Sequence, residues 1–191
     1  MQLVPLSIPG AYRVLLDVKF DPRGFFVRTY DQAVFEQNNL VTLWIQESHS
    51  FSSKKGTIRG LHFQNPPHSE TKLVRTAQGR IFIVLLDIRP GSPAFGKWDY
   101  AEISFENKEL LYVPKGIAMG MCTLTDNCSL LYKMDTEYQP ESGRTIRWND
   151  PELGIPWPVE QDPIILDKDR TAPLFREYLE QEGLSHNSSG R

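Results

Sequence analysis

The chain has 191 residues, with 21 basic and 24 acidic side chains and a formal net charge of −3. This balance argues against a nucleic-acid-binding surface, and no apolar run approaches the ~18 residues that a membrane-spanning helix needs. The length suits one domain that buries a sizeable core without disulfides or metals. We expect a single domain over residues 1–182 and a disordered tail over 183–191.

Targeting and cysteine content indicate the compartment. The N-terminal sequence has no basic segment followed by an apolar core, so it does not predict a signal peptide. Cys122 and Cys128 are too few for a disulfide framework, and we expect both to be buried and reduced. These features predict a cytoplasmic protein.

Short strand-like runs separated by turn residues dominate the first third of the chain. Pro22 and Gly24 predict a hairpin turn, because proline presets the backbone angle of a turn and glycine tolerates a positive φ. Asp31 is placed to cap a short helix over 32–37. The expected strands of this part are 12–18, 25–30, 42–46 and 57–63.

The centre of the chain carries the strongest β pattern. Six consecutive apolar residues, 81–86, lie between Gly79 and Asp87 and predict a strand buried on both faces. The other expected strands are 72–77, 101–105, 110–113, 117–124 and 129–134. After Tyr138, prolines interrupt every element, so we expect this segment to wrap the core and end in a helix over 173–180. Many short strands with turns between them predict an all-β sandwich or barrel.

Residue spacing alone says little about a site. Arg59 and His62 lie three apart in a predicted strand, so they face opposite sides unless a bulge at Gly60 changes the phase. On this spacing His62 is most simply a partly buried core histidine. Position 64 is Gln, which breaks the His-x-His pattern of metal-binding barrels, and we expect no histidine-rich metal site. The charged run 167–170 predicts a solvated loop.

Ten short motifs, taken together and in order, are far more specific than any one of them. The motifs are RGFF at 23–26, RGLHFQ at 59–64, KLVR at 72–75, DIR at 87–89, SPAFGKW at 92–98, ENK at 106–108, VPKG at 113–116, LYK at 131–133, RWND at 147–150 and KDR at 168–170. Over roughly residues 3–176 the chain resembles the dTDP-4-dehydrorhamnose 3,5-epimerase family.

The resemblance implies a fold and a reaction. The implied fold is a cupin-type jelly-roll β-barrel with short peripheral helices, assembled as a homodimer and without metal or organic cofactor. The implied reaction inverts the carbons that flank the ketone of a nucleotide-linked 4-keto-6-deoxy sugar, as in dTDP-rhamnose biosynthesis. A proton next to a ketone is acidic because the carbanion delocalises into an enolate. A base on one face and an acid on the other therefore suffice for inversion.

The resemblance also implies roles for individual residues. His62 matches the base, Asp169 the carboxylate that orients it, Lys72 the cation near the ketone oxygen and Tyr132 the opposing acid. The implied substrate-binding positions are Arg23, Arg28, Gln46, Ser48, Arg59, Met119, Tyr138 and Lys168.

Three positions depart from the family pattern. Met119 stands where the family usually has His, Arg28 where it has Glu, and Ser48 where it has Asn. We therefore expect intact proton chemistry with altered substrate recognition. Two alternatives stay open: an epimerase of one centre in a different nucleotide sugar, and a sugar-nucleotide-binding barrel without activity. Retention of a base and an acid favours an enzyme, since a binding protein needs neither.

Overall fold

The computed structural model describes residues 1–184. In chain order the strands are β1 (Gln2–Pro5), β2 (Tyr12–Leu15), β3 (Val18–Asp21), β4 (Gly24–Val27), β5 (Gln46–Ser52), β6 (Ile58–Gln64), β7 (Lys72–Gln78), β8 (Arg80–Asp87), β9 (Trp98–Ser104), β10 (Leu110–Val113), β11 (Ile117–Thr123), β12 (Cys128–Met134) and β13 (Gly143–Thr145). The helices are α1 (Gln32–Gln37), α2 (Asp167–Arg170) and α3 (Phe175–Gln181), with one 3₁₀ turn at Pro140–Ser142.

The strands form two antiparallel sheets and a separate hairpin. The first sheet has the order β1-β2-β10-β7-β12-β5 and the second has the order β13-β6-β11-β8-β9. Strands β3 and β4 pair only with each other within the described chain. Sheets with this crossed strand order, packed face to face, make a jelly roll. The predicted all-β barrel with short peripheral helices is confirmed.

Strand β8 shows how the sheets pack. The odd-numbered residues of the run 81–86 are fully buried in a core that both sheets share. The even-numbered residues lie on the opposite face, in a second core beneath Trp157 and α3. The C-terminal segment therefore covers the outside of the second sheet, as the proline pattern predicts, and β8 is buried on both faces.

Several local predictions differ from the structure. The predicted strand 12–18 is divided between β2 and β3, which belong to different sheets. Residues 42–45 are not a strand, because Trp44 turns onto the outer face of the first sheet, where it packs edge-on against Phe35 and Tyr112, and only Gln46 belongs to a strand, as the start of β5. Asp31 precedes α1 as expected, but its carboxylate accepts a hydrogen bond from Arg28 at 2.8 Å and does not cap the helix. The run 167–170 is a helical turn with a buried Asp169, and the solvated-loop prediction is wrong.

Both cysteines are free and buried, as predicted. The predicted tail, 183–191, falls almost entirely outside the described residues, and within them the Leu184 amide donates to Leu179 O at 2.8 Å. None of the helices in residues 1–184 has the length and apolar content needed to cross a membrane.

Candidate active site

A cavity of about 800 Å³ opens on the inner side of the barrel. Strands of both sheets form its wall, so residues distant in sequence meet there. Most of the residues predicted from the sequence line it: Gln46, Ser48, Arg59, His62, Lys72, Met119, Tyr132, Tyr138 and Lys168.

A bulge in β6 brings Arg59 and His62 to the same wall. Strand β11 pairs Met119 with His62 and Met121 with Arg59, so two residues of β6 oppose a single residue of β11. Gly60, inside the bulge, has φ +113°, and a Cβ there would lie 2.6 Å from Met119 O. Glycine is required at this position by both its backbone angle and its close neighbour. The bulge at Gly60, which the spacing of Arg59 and His62 did not decide, is present in the structure.

His62 and Asp169 form a hydrogen-bonded pair at the cavity wall. His62 Nε2 lies 2.8 Å from Asp169 Oδ1, and the other carboxylate oxygen accepts the Gly60 amide at 3.1 Å. The carboxylate is 2% exposed and the imidazole is 38% exposed. Burial raises the pKa of the Asp169 carboxyl, but hydrogen bonds from His62 and Gly60 and the charge of Lys168 outweigh it, so the net pKa lies below its ordinary value. Asp169 is therefore a carboxylate at neutral pH.

This pairing fixes the tautomer of His62. A carboxylate only accepts hydrogen bonds, so Nε2 must carry the proton that lies between the two side chains. The lone pair of the neutral ring is then on Nδ1, which has no hydrogen-bond partner among residues 1–184. The ring is partly exposed to the cavity it lines. An oriented imidazole with a free Nδ1 is equipped to take a proton from a ligand.

Lys72 and Tyr132 come from neighbouring strands of the first sheet. Lys72 begins β7, and its ammonium lies 2.7 Å from Glu70 Oε1, with both side chains 9% exposed. Tyr132 lies on β12, between Ser48 of β5 and Val74 of β7. His62 belongs to the second sheet, so the cavity holds the imidazole on one sheet and the ammonium and phenol on the other.

Polar and aromatic side chains surround these groups. The Arg59 guanidinium donates to Ser52 Oγ at 3.3 Å and to Phe51 O at 3.0 Å. Gln46 Oε1 accepts the Tyr138 amide at 3.0 Å, which ties the β5 edge to a tyrosine that is 65% exposed. Lys168 precedes Asp169 on α2 and adds its positive charge to those of Arg59 and Lys72 in the cavity. These groups suit an elongated ligand with an anionic portion and an aromatic portion.

Arg23 and Arg28 lie outside the cavity of their own chain. Arg23 sits at the β3–β4 turn, 90% exposed, and pairs with Asp21 at 2.7 Å. Arg28 follows β4, 69% exposed, and pairs with Asp31. Neither residue lines the cavity. Their substrate-binding roles stay predictions.

The cavity also contains residues that the sequence reasoning did not select. Glu70 and Arg144 both line it, and Arg144 is tied to Glu182 at 2.7 Å. Glu70 lies two residues before Lys72, so the alternation of an extended segment is a signal that could have found it. Within residues 1–184, no three histidine, cysteine, aspartate or glutamate side chains converge as metal ligands.

Comparison with known proteins identifies the family. The model of the dTDP-4-dehydrorhamnose 3,5-epimerase family matches residues 5–177. The enzyme of that name from Salmonella typhimurium is 42% identical over 181 residues, which are 94% of this chain and 98% of the relative.

Two solved structures share the fold. The Bacillus anthracis dTDP-4-dehydrorhamnose 3,5-epimerase, with TDP and PPi bound, superposes with a TM-score of 0.88 at 40% identity, over 91% of this chain and 98% of that one. A 3'-monoepimerase from Streptomyces bikiniensis, in complex with dTDP-quinovose, also gives a TM-score of 0.88, at 30% identity over 94% and 90% of the chains. The family match spans nearly the whole fold, cavity included, and the chain belongs to the dTDP-4-dehydrorhamnose 3,5-epimerase family.

Proposed function

We propose that this epimerase inverts C3, C5 or both in a dTDP-4-keto-6-deoxy sugar, through an enolate. The observation that carries the proposal is the His62–Asp169 pair on the wall of a cavity that also contains Lys72 and Tyr132. Each group has a task in such a reaction, and no redox step is needed, because the substrate and product are isomers.

The first half of the reaction is proton abstraction. His62 Nδ1 takes the proton from the carbon next to the C4 ketone, and the ring becomes an imidazolium. Asp169, buried and ionised, stabilises that cation through Nε2–H. The electron pair of the broken C–H bond moves into the ketone, and Lys72 favours the oxyanion that forms.

The second half returns a proton from the opposite face. Tyr132 gives its phenolic proton to the carbanionic carbon, which inverts the centre, and solvent restores the protonation of both residues. The support is positional: Tyr132 and His62 line one cavity from different sheets, which lets a ligand lie between them. Inversion needs two groups on opposite faces, whereas exchange needs only one.

Binding of the nucleotide diphosphate is assigned to the cations and aromatic groups of the cavity. Arg59 and Lys168 supply positive charge for phosphate oxygens, and the planar guanidinium suits two of them at once. Tyr138, exposed beside Gln46, is placed to stack on the nucleotide or sugar.

The functional unit is proposed to be a homodimer. The β3–β4 hairpin exposes Phe20 and Phe26 at 73% and 68%, and it carries Arg23 outside the cavity of its own chain. Exposed aromatics on a projecting hairpin are typical of an interface. In the dimer we propose, the hairpin of one chain reaches the cavity of the other and Arg23 contacts the diphosphate there.

The proposed location is the cytoplasm. Both cysteines are free, which fits a reducing compartment. Nucleotide-linked sugars are also made from cytoplasmic nucleotides, so the enzyme would meet its substrate there.

A single-centre reaction is the second candidate, because the Streptomyces bikiniensis relative is a 3'-monoepimerase. NMR of the product formed from dTDP-4-keto-6-deoxyglucose, compared with GDP- and CDP-linked sugars, separates the candidates. Inversion at both carbons supports double epimerisation, and inversion at one carbon supports the alternative. Tight binding without turnover of any sugar would contradict an enzyme.

A further inference from the structure

Glu70 is a buried acidic residue of the cavity wall that the proposed proton transfers leave unused. Its side chain is 9% exposed, and it precedes Lys72 by two residues. Both side chains line the cavity. Burying a carboxylate is unfavourable unless both of its oxygens have partners.

The two oxygens of Glu70 differ in their surroundings. Oε1 accepts from the Lys72 ammonium at 2.7 Å. Oε2 is buried and has no hydrogen-bond partner among residues 1–184. A carboxylate oxygen has two lone pairs to offer, and buried polar atoms without partners are rare in folded proteins. Oε2 is therefore an unsatisfied acceptor in a residue of the cavity wall, and a donor group of a ligand would satisfy it once the carboxylate turned toward the cavity.

The backbone on both sides holds Glu70 in place. The Thr71 amide donates to Asp135 Oδ1 at 2.7 Å, and Ser69 Oγ donates to Gln64 O at 3.1 Å. The free acceptor thus belongs to a fixed segment of the wall. By contrast Glu47, another glutamate of the cavity, is 44% exposed and pairs with Lys133 at 3.3 Å, so solvent can satisfy it.

We propose that Glu70 determines which sugar the cavity accepts. Oε1 holds Lys72, and Oε2 accepts a hydrogen bond from the sugar hydroxyl beside the ketone, at C3. This inference rests on the proposed function, in which Lys72 lies at the ketone oxygen. The ketone oxygen and the hydroxyl then sit side by side on neighbouring carbons, opposite the ammonium and the carboxylate. The Lys72 ammonium donates to the ketone oxygen, and the C3 hydroxyl donates to Glu70 Oε2. A sugar without this hydroxyl leaves Oε2 without a hydrogen-bond partner.

The test compares dTDP-4-keto-6-deoxyglucose with its 3-deoxy counterpart in D₂O. Deuterium incorporation is followed at the carbon, C3 or C5, that the wild-type protein exchanges. A lost hydrogen bond to a charged group predicts that the wild-type protein prefers the hydroxylated sugar by about 10- to 150-fold in kcat/KM. In Glu70→Ala, exchange should fall for both sugars, because Lys72 loses its partner. The preference for the hydroxylated sugar should shrink below about threefold, because the variant lacks the acceptor for the hydroxyl group.

Controls separate this contact from a structural role. The control variant is Glu109→Gln. Glu109 does not line the cavity, and its carboxylate lies 2.7 Å from the Arg13 guanidinium. This variant should keep the wild-type preference for the hydroxylated sugar. If the alanine variant does not fold, Glu70→Gln serves, and its preference should be intermediate because a neutral acceptor bonds more weakly. A wild-type protein without preference, or a folded Glu70 variant that retains it, overturns the proposal.

Failure of the proposed function has a different signature. If the wild-type protein exchanges neither sugar, the proton chemistry is wrong, and calorimetric affinities for the two sugars still report on Glu70. The wild-type preference for the hydroxylated sugar, and its loss in Glu70→Ala, are then measured as ratios of Kd. Equal ratios in both proteins overturn the inference about Glu70.

Discussion

The cavity wall and the β3–β4 hairpin hold their functional candidates in opposite ways. On the wall, Asp169 and Lys72 are buried, and each has a short bond to a partner in the same chain. On the hairpin, Arg23 is 90% exposed and pairs only with its neighbour Asp21 among the described residues. The charged groups of the wall are thus held in place by partners in the same chain. In the dimer we propose, the hairpin arginine reaches a ligand bound by the other chain.

The wall contributes the largest expected effect. Replacing His62 with Asn removes the base but keeps a polar side chain of smaller size, and turnover should fall about 10²- to 10⁴-fold. The measurement is steady-state turnover of dTDP-4-keto-6-deoxyglucose by NMR, with circular dichroism to show that the variant folds. Near-normal turnover by a folded variant would show that His62 is not the base.

Tyr132→Phe tests the two-sided chemistry of the same wall. The variant keeps the ring but loses the phenolic proton, so inversion should fall about 10²-fold or more, the scale of a general acid. Deuterium exchange on the face served by His62 should survive better than inversion. Exchange and inversion that fall in equal proportion would rule out Tyr132 as a separate acid.

The hairpin is tested by Arg23→Ala, which should raise KM about 10- to 100-fold through loss of a charged contact to phosphate. Refolding this variant together with His62→Asn produces mixed dimers, which test whether Arg23 serves the cavity of its own chain or that of its partner. If the hairpin serves the partner's cavity, each mixed dimer regains one complete site, and activity exceeds that of either variant alone. Mixtures no more active than the sum of the parents would show that Arg23 acts within its own chain or not at all.

The pH dependence of stability reports on the wall without any substrate. Asp169 has a pKa below its ordinary value in the folded protein. The hydrogen bonds that its carboxylate accepts from His62 and Gly60 therefore stabilise the fold above the ordinary carboxyl pKa of about 3.9, and this contribution is lost as the pH falls through the lowered pKa. Asp169→Asn should lower the free energy of unfolding by about 1.5 kcal/mol at pH 7. This value is at the lower end of the range for a hydrogen bond to a charged group, because His62 is partly exposed to solvent. Urea unfolding of both proteins should give stabilities that converge as the pH falls below the lowered pKa of Asp169, and a difference that is constant with pH would contradict the assignment.

The smallest expected effect concerns the departure opposite His62. Met119 pairs with His62 across the strands and lines the cavity, and its thioether is a weak acceptor that cannot donate. If Met119 contacts the ligand, Met119→His should raise kcat/KM on dTDP-4-keto-6-deoxyglucose by up to about tenfold, because the imidazole can donate one hydrogen bond to the substrate. An unchanged variant of a wild-type enzyme that is already efficient would show that the departure has no functional meaning.

The contrast between wall and hairpin also explains what the sequence could predict. The run 81–86 and the alternating strands follow from local patterns, and the structure confirms them. The Gly60 bulge was foreseen as an option, since a glycine in a strand marks such a site. Hydrophobic pattern could not predict that 42–46 would leave the sheet, because Trp44 is held by tertiary packing.

Site residues divide in the same way. The motifs identified His62, Lys72 and Tyr132 before any contact was known, and the fold brings them to one cavity. The family resemblance also implied Asp169 as the partner of His62, whereas its local charge pattern is that of a solvated loop. The packing of α2 against β6 is what buries that carboxylate. Arg23 of the hairpin could not be placed from one chain, because its proposed site lies on another.

The most direct measurement of the central claim is deuterium wash-in. The wild-type protein is incubated with dTDP-4-keto-6-deoxyglucose in D₂O, and the C3 and C5 protons are followed by NMR beside His62→Asn at the same concentration. We predict that the wild-type protein replaces at least one of these protons with deuterium and that His62→Asn does so about 10²-fold more slowly or not at all. Equal exchange by both proteins would contradict the account, and so would tight binding without exchange by the wild-type protein.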